Sequence, residues 1–342
     1  MVHGLYSVAE VDVMIKNGDK LLLAGDAPLL SQLSKGDWIG GSCSRFVGKE
    51  RTPVNTREKI FVHNVTDVVN NFKIVVYDAS NVKNIYDEAF EHGFSVLILP
   101  FYSDVWREYS INCSNYFNFA NSPVCGWVAV APPYSEYEQN DESLVFSGES
   151  GLSYKNSAVV MHIELSVEKY AEIHVFSPFK ADDDDIIVFE ENGQQVEYAL
   201  VNGVRQNFRQ YLLNRGIDRS HDAGEMSRKC LAGNFSGFIM NVSIGMETEN
   251  DLEKYVSLGA PVYKGVPYRL ANMDKVSYAH EKKQLDVEVA CAFTCITNFA
   301  HSDIFQKHLT QMYGPFTYGE IGYFLLNQGT VYLTVGNLQK QE

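Results

Sequence analysis

The sequence predicts a mixed α/β protein of two domains, each a mixed β-sheet flanked by helices. Short apolar runs rich in β-branched residues alternate with segments of helical period along the whole chain. Hydrophobic residues make up 45% of the chain and charged residues 21%, enough apolar area for packed interiors. The 342 residues also exceed the ~250–300 at which a single core usually stops growing. The division is expected at 190/191, giving domains 1–190 and 191–342.

In chain order, KLLLAG (20–25) reads as a strand. A helix follows, with Asp26 as its cap, Pro28 in its first turn, Leu29, Leu30 and Leu33 on one face and Gly36 past its end. FKIVVYD (72–78) and SVLILP (95–100) read as strands around a helix that turns Val82, Ile85, Ala89 and Phe90 inward and stops at Gly93. That trio has the order of a strand–helix–strand unit. Strands are then predicted at about 124–131, 158–165, 172–179, 186–190 and 195–201. Asn202 opens a predicted helix in which Val204, Phe208, Tyr211 and Leu212 recur at helical spacing before Gly216. A second α/β section echoes the first: strand 237–244, helix 248–258, strand 287–296, helix 302–312 and strand 330–335.

Forty-three acidic residues against 28 basic give a formal charge of -15. The densest charge run is Asp182–Asp185, and no basic cluster offsets it, which argues against nucleic acid and membrane surfaces as partners. The N-terminus lacks a basic region followed by an apolar core, and no window approaches the ~20 apolar residues of a membrane span. A cytoplasmic protein is expected. Six scattered cysteines, most of them inside apolar runs, are expected as reduced thiols.

Most familiar motifs fail. GESGL (148–152) and GGSCS (40–44) fall short of a nucleophile elbow, and the chain has no G-x-G-x-x-G, P-loop or H-E-x-x-H. On a strand, Cys291 and Cys295 lie roughly 13 Å apart, too far to share a metal. His162 and His174 read as isolated, hydrogen-bonded strand residues, and Asp182–Asp185 as a solvated loop without the spacing of a calcium site. Two stretches remain. WIGGS (38–42) sets Trp38 beside Gly40 and Gly41, a composition that lets backbone approach a ligand or another element closely. FTYGEIG (316–322) embeds Glu320 between Gly319 and Gly322 in an apolar run, with Asn327 and Gln328 nearby. A buried carboxylate there needs hydrogen-bond donors or a cation. Backbone amides and Asn327 would serve structurally; the ammonium of a small ligand would serve functionally.

FTYGEIG, followed five residues later by NQGT, resembles the closing motif of the C-terminal FIST sensory domain. VACAFTCITNFAHSDIF (289–305) is similar to that family's strand leading into a helix, and GVPYRLANMDK (265–275) to the segment before it. The stretch 186–212 resembles the passage from the FIST N-terminal to its C-terminal domain, and WIGGS and CGWVAV (125–130) fall where the N-terminal domain has small-residue turns. Ile296, Thr297 and Asn298 stand where the family carries an Arg, and Leu326 where it carries a His.

The resemblance implies a non-catalytic sensor of a small molecule, an amino acid being one candidate. Tyr318, Gly319, Glu320, Asn327, Trp38, Gly40, Gly41 and Cys295 are the ligand-binding residues it nominates. No output segment follows Glu342, so a separately encoded signalling partner is expected. The cofactor is left unknown; haem, bound by some members, is disfavoured by Leu326. The alternatives are a thiol- or carboxylate-dependent hydrolase or transferase, with Cys295 and Glu320 as candidates and His301 as base, and a haem-based gas sensor.

Overall fold

The computed structural model describes residues 2–47, 53–131, 142–217, 228–235, 237–245, 255–274, 288–299 and 312–338. The architecture is mixed α/β, built on several sheets with short helices between them. One sheet runs, in spatial order, Val2–Tyr6, Ile60–Asn64, Leu21–Gly25, Trp38–Ser42, Val145–Ser147 and Leu152–Tyr154. A second runs Phe324–Leu326, Glu320–Gly322, Val124–Ala129, Gly93–Pro100, Ala158–Glu164 and Asn71–Tyr77. A third joins Lys169–Phe176, Thr330–Asn337, Glu288–Cys295, Gly314–Thr317, Arg45–Val47 and Pro53–Asn55. The fourth, centred on Pro267–Met273, carries Ile187–Val188, Lys229–Phe235 and Phe238–Ser243, and a separate ribbon pairs Gly193–Val196 with Val256–Val262.

The second and third sheets take strands from both sides of position 190. Glu320–Gly322 pairs antiparallel with Val124–Ala129, setting Glu320 opposite Trp127, and Gly314 pairs with Val47. One buried core contains Ile98, Trp127, Leu258, Phe293, Ile321 and Phe324. Two of these rings, Trp127 and Phe293, stack at 4.8 Å and 26° across the two sheets. The first sheet packs on the second through Gly41, where an added Cβ would lie 2.8 Å from Ile98 and 2.9 Å from the Trp127 indole nitrogen. Any side chain at 41 would force those layers apart.

Several predicted helices are shorter than their period implies. After Asp26 there is one turn, Ala27–Leu30, and the Asp26 carboxylate accepts from Arg57 instead of capping. Between the strands Asn71–Tyr77 and Gly93–Pro100 lies only a 3-10 turn, Val82–Asn84, although Val82 and Ile85 are fully buried as expected. The cause is local: Asp78 accepts from the Ser80 backbone N–H at 2.8 Å and Asn81 from the Asp78 N–H at 2.8 Å, and such side-chain turns compete with helix. Nor are those two strands neighbours, since Ala158–Glu164 inserts between them, antiparallel to both. The helix expected from Asn202 begins at Phe208. Asn202 (φ 51°) and Gly203 (φ 81°) instead turn a hairpin that pairs Tyr198–Val201 with Val204–Asn207. The end of the expected helix 248–258 is strand, Val256–Val262. Positions 246–254 and 300–311, which hold the rest of that helix and nearly all of the helix expected at 302–312, lie outside the described residues.

Two helices go unforeseen. Val8–Lys16 is opened by a capping box in which the Ser7 N–H donates to Glu10 at 2.7 Å and Ser7 accepts from the Glu10 N–H, and it buries Val11 and Ile15. Asp104–Asn112 is capped by Ser103, whose hydroxyl accepts from the Trp106 N–H at 3.1 Å, and buries Val105, Trp106 and Tyr109. Among the described residues no helix is long and apolar enough to cross a membrane.

Candidate functional site

Glu320 is fully buried in a strand, at the centre of a polar knot closed by the turn Asn327–Gly329. Gln328 takes a positive φ of 56°, and the turn swings the Gly329 N–H onto Glu320 Oε1 at 3.0 Å. The Gly329 carbonyl accepts from the Cys295 N–H at 3.0 Å and from Asn298 Nδ2 at 3.1 Å. Asn327 donates its N–H to the Asn241 carbonyl at 3.1 Å and accepts from the Ser243 hydroxyl at 3.3 Å. Glu320 Oε2 has no hydrogen-bond partner among the described residues. Burial raises its pKa well above 4.5, against the opposing pull of the Gly329 N–H, so the site favours the protonated carboxyl. At Gly319 an added Cβ would lie 2.6 Å from the tip of Leu325.

Cys295 borders the knot, 2% exposed, and accepts from the Thr297 hydroxyl at 3.2 Å. Burial, reinforced by the neighbouring Glu320 carboxyl, pushes its thiol up to about 12. Cys43 and Cys113 are likewise pushed to about 12 by burial, and Cys230 and Cys291 well above the usual thiol range. A nucleophilic thiolate is thus disfavoured at each of these five. His301, the base paired with Cys295 in the hydrolase reading, lies outside the described residues.

A serine and a histidine do meet elsewhere. Ser95 Oγ is 2.7 Å from His162 Nδ1, His162 Nε2 is 2.9 Å from Tyr77 Oη, and Tyr77 donates to Glu88 at 3.1 Å. That last bond sets the direction of the chain: Nε2–H donates to Tyr77 and Nδ1 accepts from Ser95. Ser95 and His162 are wholly buried, and burial holds the imidazole down to about 3. The Ser95–His162 pair is a buried strut between strands, without access to substrate. His174, the other strand histidine, bonds Thr334 at 2.9 Å and stacks on Tyr332. Among the described residues no group of three His, Cys, Asp or Glu side chains is placed to hold a metal ion.

The WIGGS stretch is a buried strand. The Trp38 indole donates to the Ser34 carbonyl at 2.9 Å and packs flat on Gly148, where a Cβ would lie 2.4 Å from the ring. Gly40 fits between Leu23 and the Trp38 ring, and Gly41 serves the sheet contact described above. These glycines admit neighbouring protein.

Open space lies elsewhere, in a cleft of about 520 Å³. One wall is Phe101, Tyr102, Trp106, Arg107 and Ile111, at the end of strand Gly93–Pro100 and along helix Asp104–Asn112. The other is the ribbon, through Gly193, Gln194, Gln195, Ser257, Leu258 and Gly259. The helix is held to the later half of the chain by three bonds: Tyr109 Oη to the Tyr323 carbonyl at 2.8 Å, Tyr263 Oη to the Ser110 carbonyl at 2.7 Å, and Asn192 Nδ2 to the Ile111 carbonyl at 3.1 Å. Those bonds set the separation of the walls. Of the expected ligand-binding residues only Tyr318 comes near, its ring 5.2 Å from that of Phe101. A smaller cavity of about 290 Å³ shares Gly193 and Gln195 and is lined by Glu190, Arg205 and Tyr198, with Arg205 paired to Glu190 at 2.9 Å and lying 3.9 Å over the Tyr198 ring.

A family model matches residues 6–336, from the first helix to the last strand. The chain belongs to DUF6976, a family of unknown function. No curated protein matches it. The span shared with DUF6976 includes both walls of the cleft and the whole Glu320 knot. Sequence reasoning had passed over the cleft wall. Its signal is PFYSDVW (100–106), an apolar strand ending in Pro, an aromatic pair, then a Ser cap: a strand-to-helix turn of the kind at which open sheets place ligands.

Proposed function

We propose that this protein binds a small molecule in the cleft between Tyr102 and Gln194. The cleft itself carries this reading: it has the volume of a ligand site, ~300–1,000 Å³, a mostly apolar lining and a few polar groups. Its two walls come from distant parts of the chain, residues 101–111 and residues 193–195 with 257–259. A sensory role, in which the occupied state is passed to a separately encoded partner, is what the FTYGEIG resemblance adds to that reading. The deep burial and raised pKa of Cys295 weigh against the thiol-hydrolase alternative.

A thermal-shift panel of small metabolites, run on the wild type and on Gln194→Trp, tests the proposal. Gln194 is half-buried on the ribbon wall, and an indole there fills the cleft. The expected result is at least one compound that raises the Tm of the wild type and leaves the variant unmoved. Equal shifts in both proteins, or none in either, would overturn it.

A further inference from the structure

We infer that the cleft selects a flat aromatic molecule bearing one carboxylate, an inference that rests on the small-molecule reading above. The first observation is Tyr102. It has a φ of 59° and is 61% exposed, so a large side chain occupies a left-handed turn position that glycine fills without strain. Neither burial nor capping accounts for a tyrosine there, and residues held in strained backbone regions cluster at ligand and active sites. Its ring lies 4.1 Å from Phe101 and 5.5 Å from Trp106, and Trp106 meets Phe101 edge-on at 5.6 Å. The three rings form a cluster of tilted and edge-to-face contacts on the cleft wall, and a ligand ring can join it in the offset or edge-to-face geometry that aromatics prefer.

The second observation is charge. Arg107 is the one charged residue among those lining the cleft, in a chain whose net charge is -15. Its guanidinium is 57% exposed and meets only Asp104 among the described ion pairs, at 3.3 Å, an exposed i,i+3 contact that a ligand readily displaces. The planar fork of an arginine matches a carboxylate in two parallel hydrogen bonds. Opposite, Gly193 and Gly259 carry no side chain, which leaves that wall open to a flat ring, and the Gln194 amide supplies a polar edge.

Isothermal titration with three probes tests the class: 2-naphthoate, 2-naphthamide and cyclohexanecarboxylate. The wild type is expected to bind 2-naphthoate at least roughly tenfold more tightly than either of the others, a margin of one ring face or one charge-assisted pair. Arg107→Gln should bring 2-naphthoate down to the affinity of the amide. Tyr102→Gly should weaken both aromatic probes at least roughly tenfold while its Tm holds or rises, because glycine relieves the left-handed strain. Equal binding of naphthoate and naphthamide would overturn the anionic part, and equal binding of naphthoate and cyclohexanecarboxylate the aromatic part. If no probe binds but a panel compound still shifts the wild type and not Gln194→Trp, the ligand class falls and the cleft reading stands. Silence in both experiments overturns both.

Discussion

Glu320 and Tyr102 each sit where their chemistry is awkward, and they differ in what surrounds them. Glu320 is a carboxyl with no exposed surface, tied by the Gly329 N–H and closed in by Asn327 and Cys295. Tyr102 is a large ring in a left-handed turn with most of its surface in solvent. The buried acid is enclosed by chain, so its oddity serves the fold: it ties the strand Glu320–Gly322 to the turn that precedes Thr330–Asn337. The exposed ring touches Phe101 and Trp106 and leaves the rest of its surface to solvent. An unusual residue becomes a candidate for function when it retains access to solvent.

The comparison breaks most easily at the buried end. Gly126 pairs opposite Ile321 beside the knot, and a Cβ there would stand 1.8 Å from the Leu97 carbonyl oxygen. Gly126→Ala is expected to cost about 3 kcal/mol or more, measured by chemical denaturation, since backbone cannot yield as a side-chain tip can. A loss below about 1 kcal/mol would mean that the contact between Val124–Ala129 and Gly93–Pro100, beside the knot, is looser than its geometry implies.

Next in size is a pH effect. Glu320 holds its proton more tightly folded than unfolded, so its contribution is whole below about pH 4.5 and declines as pH rises toward its folded pKa. Glu320→Gln removes that titration. The difference in unfolding free energy between variant and wild type should shift in the variant's favour by about 1.4 kcal/mol per pH unit above that point. A difference independent of pH from 5 to 8 would show an ionised, stabilised carboxylate. His162 has the opposite sign: held down to about 3, it leaves stability whole above about pH 6.5 and removes it as pH falls.

The cleft should respond weakly in stability and strongly in binding. Tyr102→Gly is expected to gain about 0.5 kcal/mol, the relieved left-handed strain less the extra freedom of an unfolded glycine. Smallest of all, Arg107→Gln should change stability by less than about 0.5 kcal/mol, because its pair with Asp104 is exposed at both ends. A large destabilisation in either variant would move the cleft wall into the same structural class as the knot.

Strands were the most legible part of the sequence. Runs such as LLLAG and VLILP are apolar on both faces, and the sheets bury them on both faces. Helices were less legible because periodicity alone does not weigh local competitors: Asp78, Ser80 and Asn81 capture backbone groups that a helix needs, and Asn202–Gly203 turns a hairpin inside an apparently helical period. The burial of Glu320 was readable from its apolar neighbours and glycines, while the identity of its donor, the Gly329 N–H, follows from a positive φ at Gln328. At Trp38, Gly40 and Gly41 the sequence left open whether a ligand or another element approaches; in the structure Gly148 meets Trp38, Leu23 meets Gly40 and the second sheet meets Gly41.

The sequence by itself determined composition, charge, the mixed α/β class and the burial of the FTYGEIG run, because each depends on local residue chemistry summed along the chain. Only the tertiary structure decided that strands from both ends share sheets, with Glu320 opposite Trp127, and that Tyr102 and Arg107 face Gln194 and Ser257 across open space. Those pairings join residues more than 80 positions apart, and no local pattern encodes a partner at that distance. They are selected by which layers can pack against which, and a single glycine such as Gly41 permits the contact at the point of closest approach.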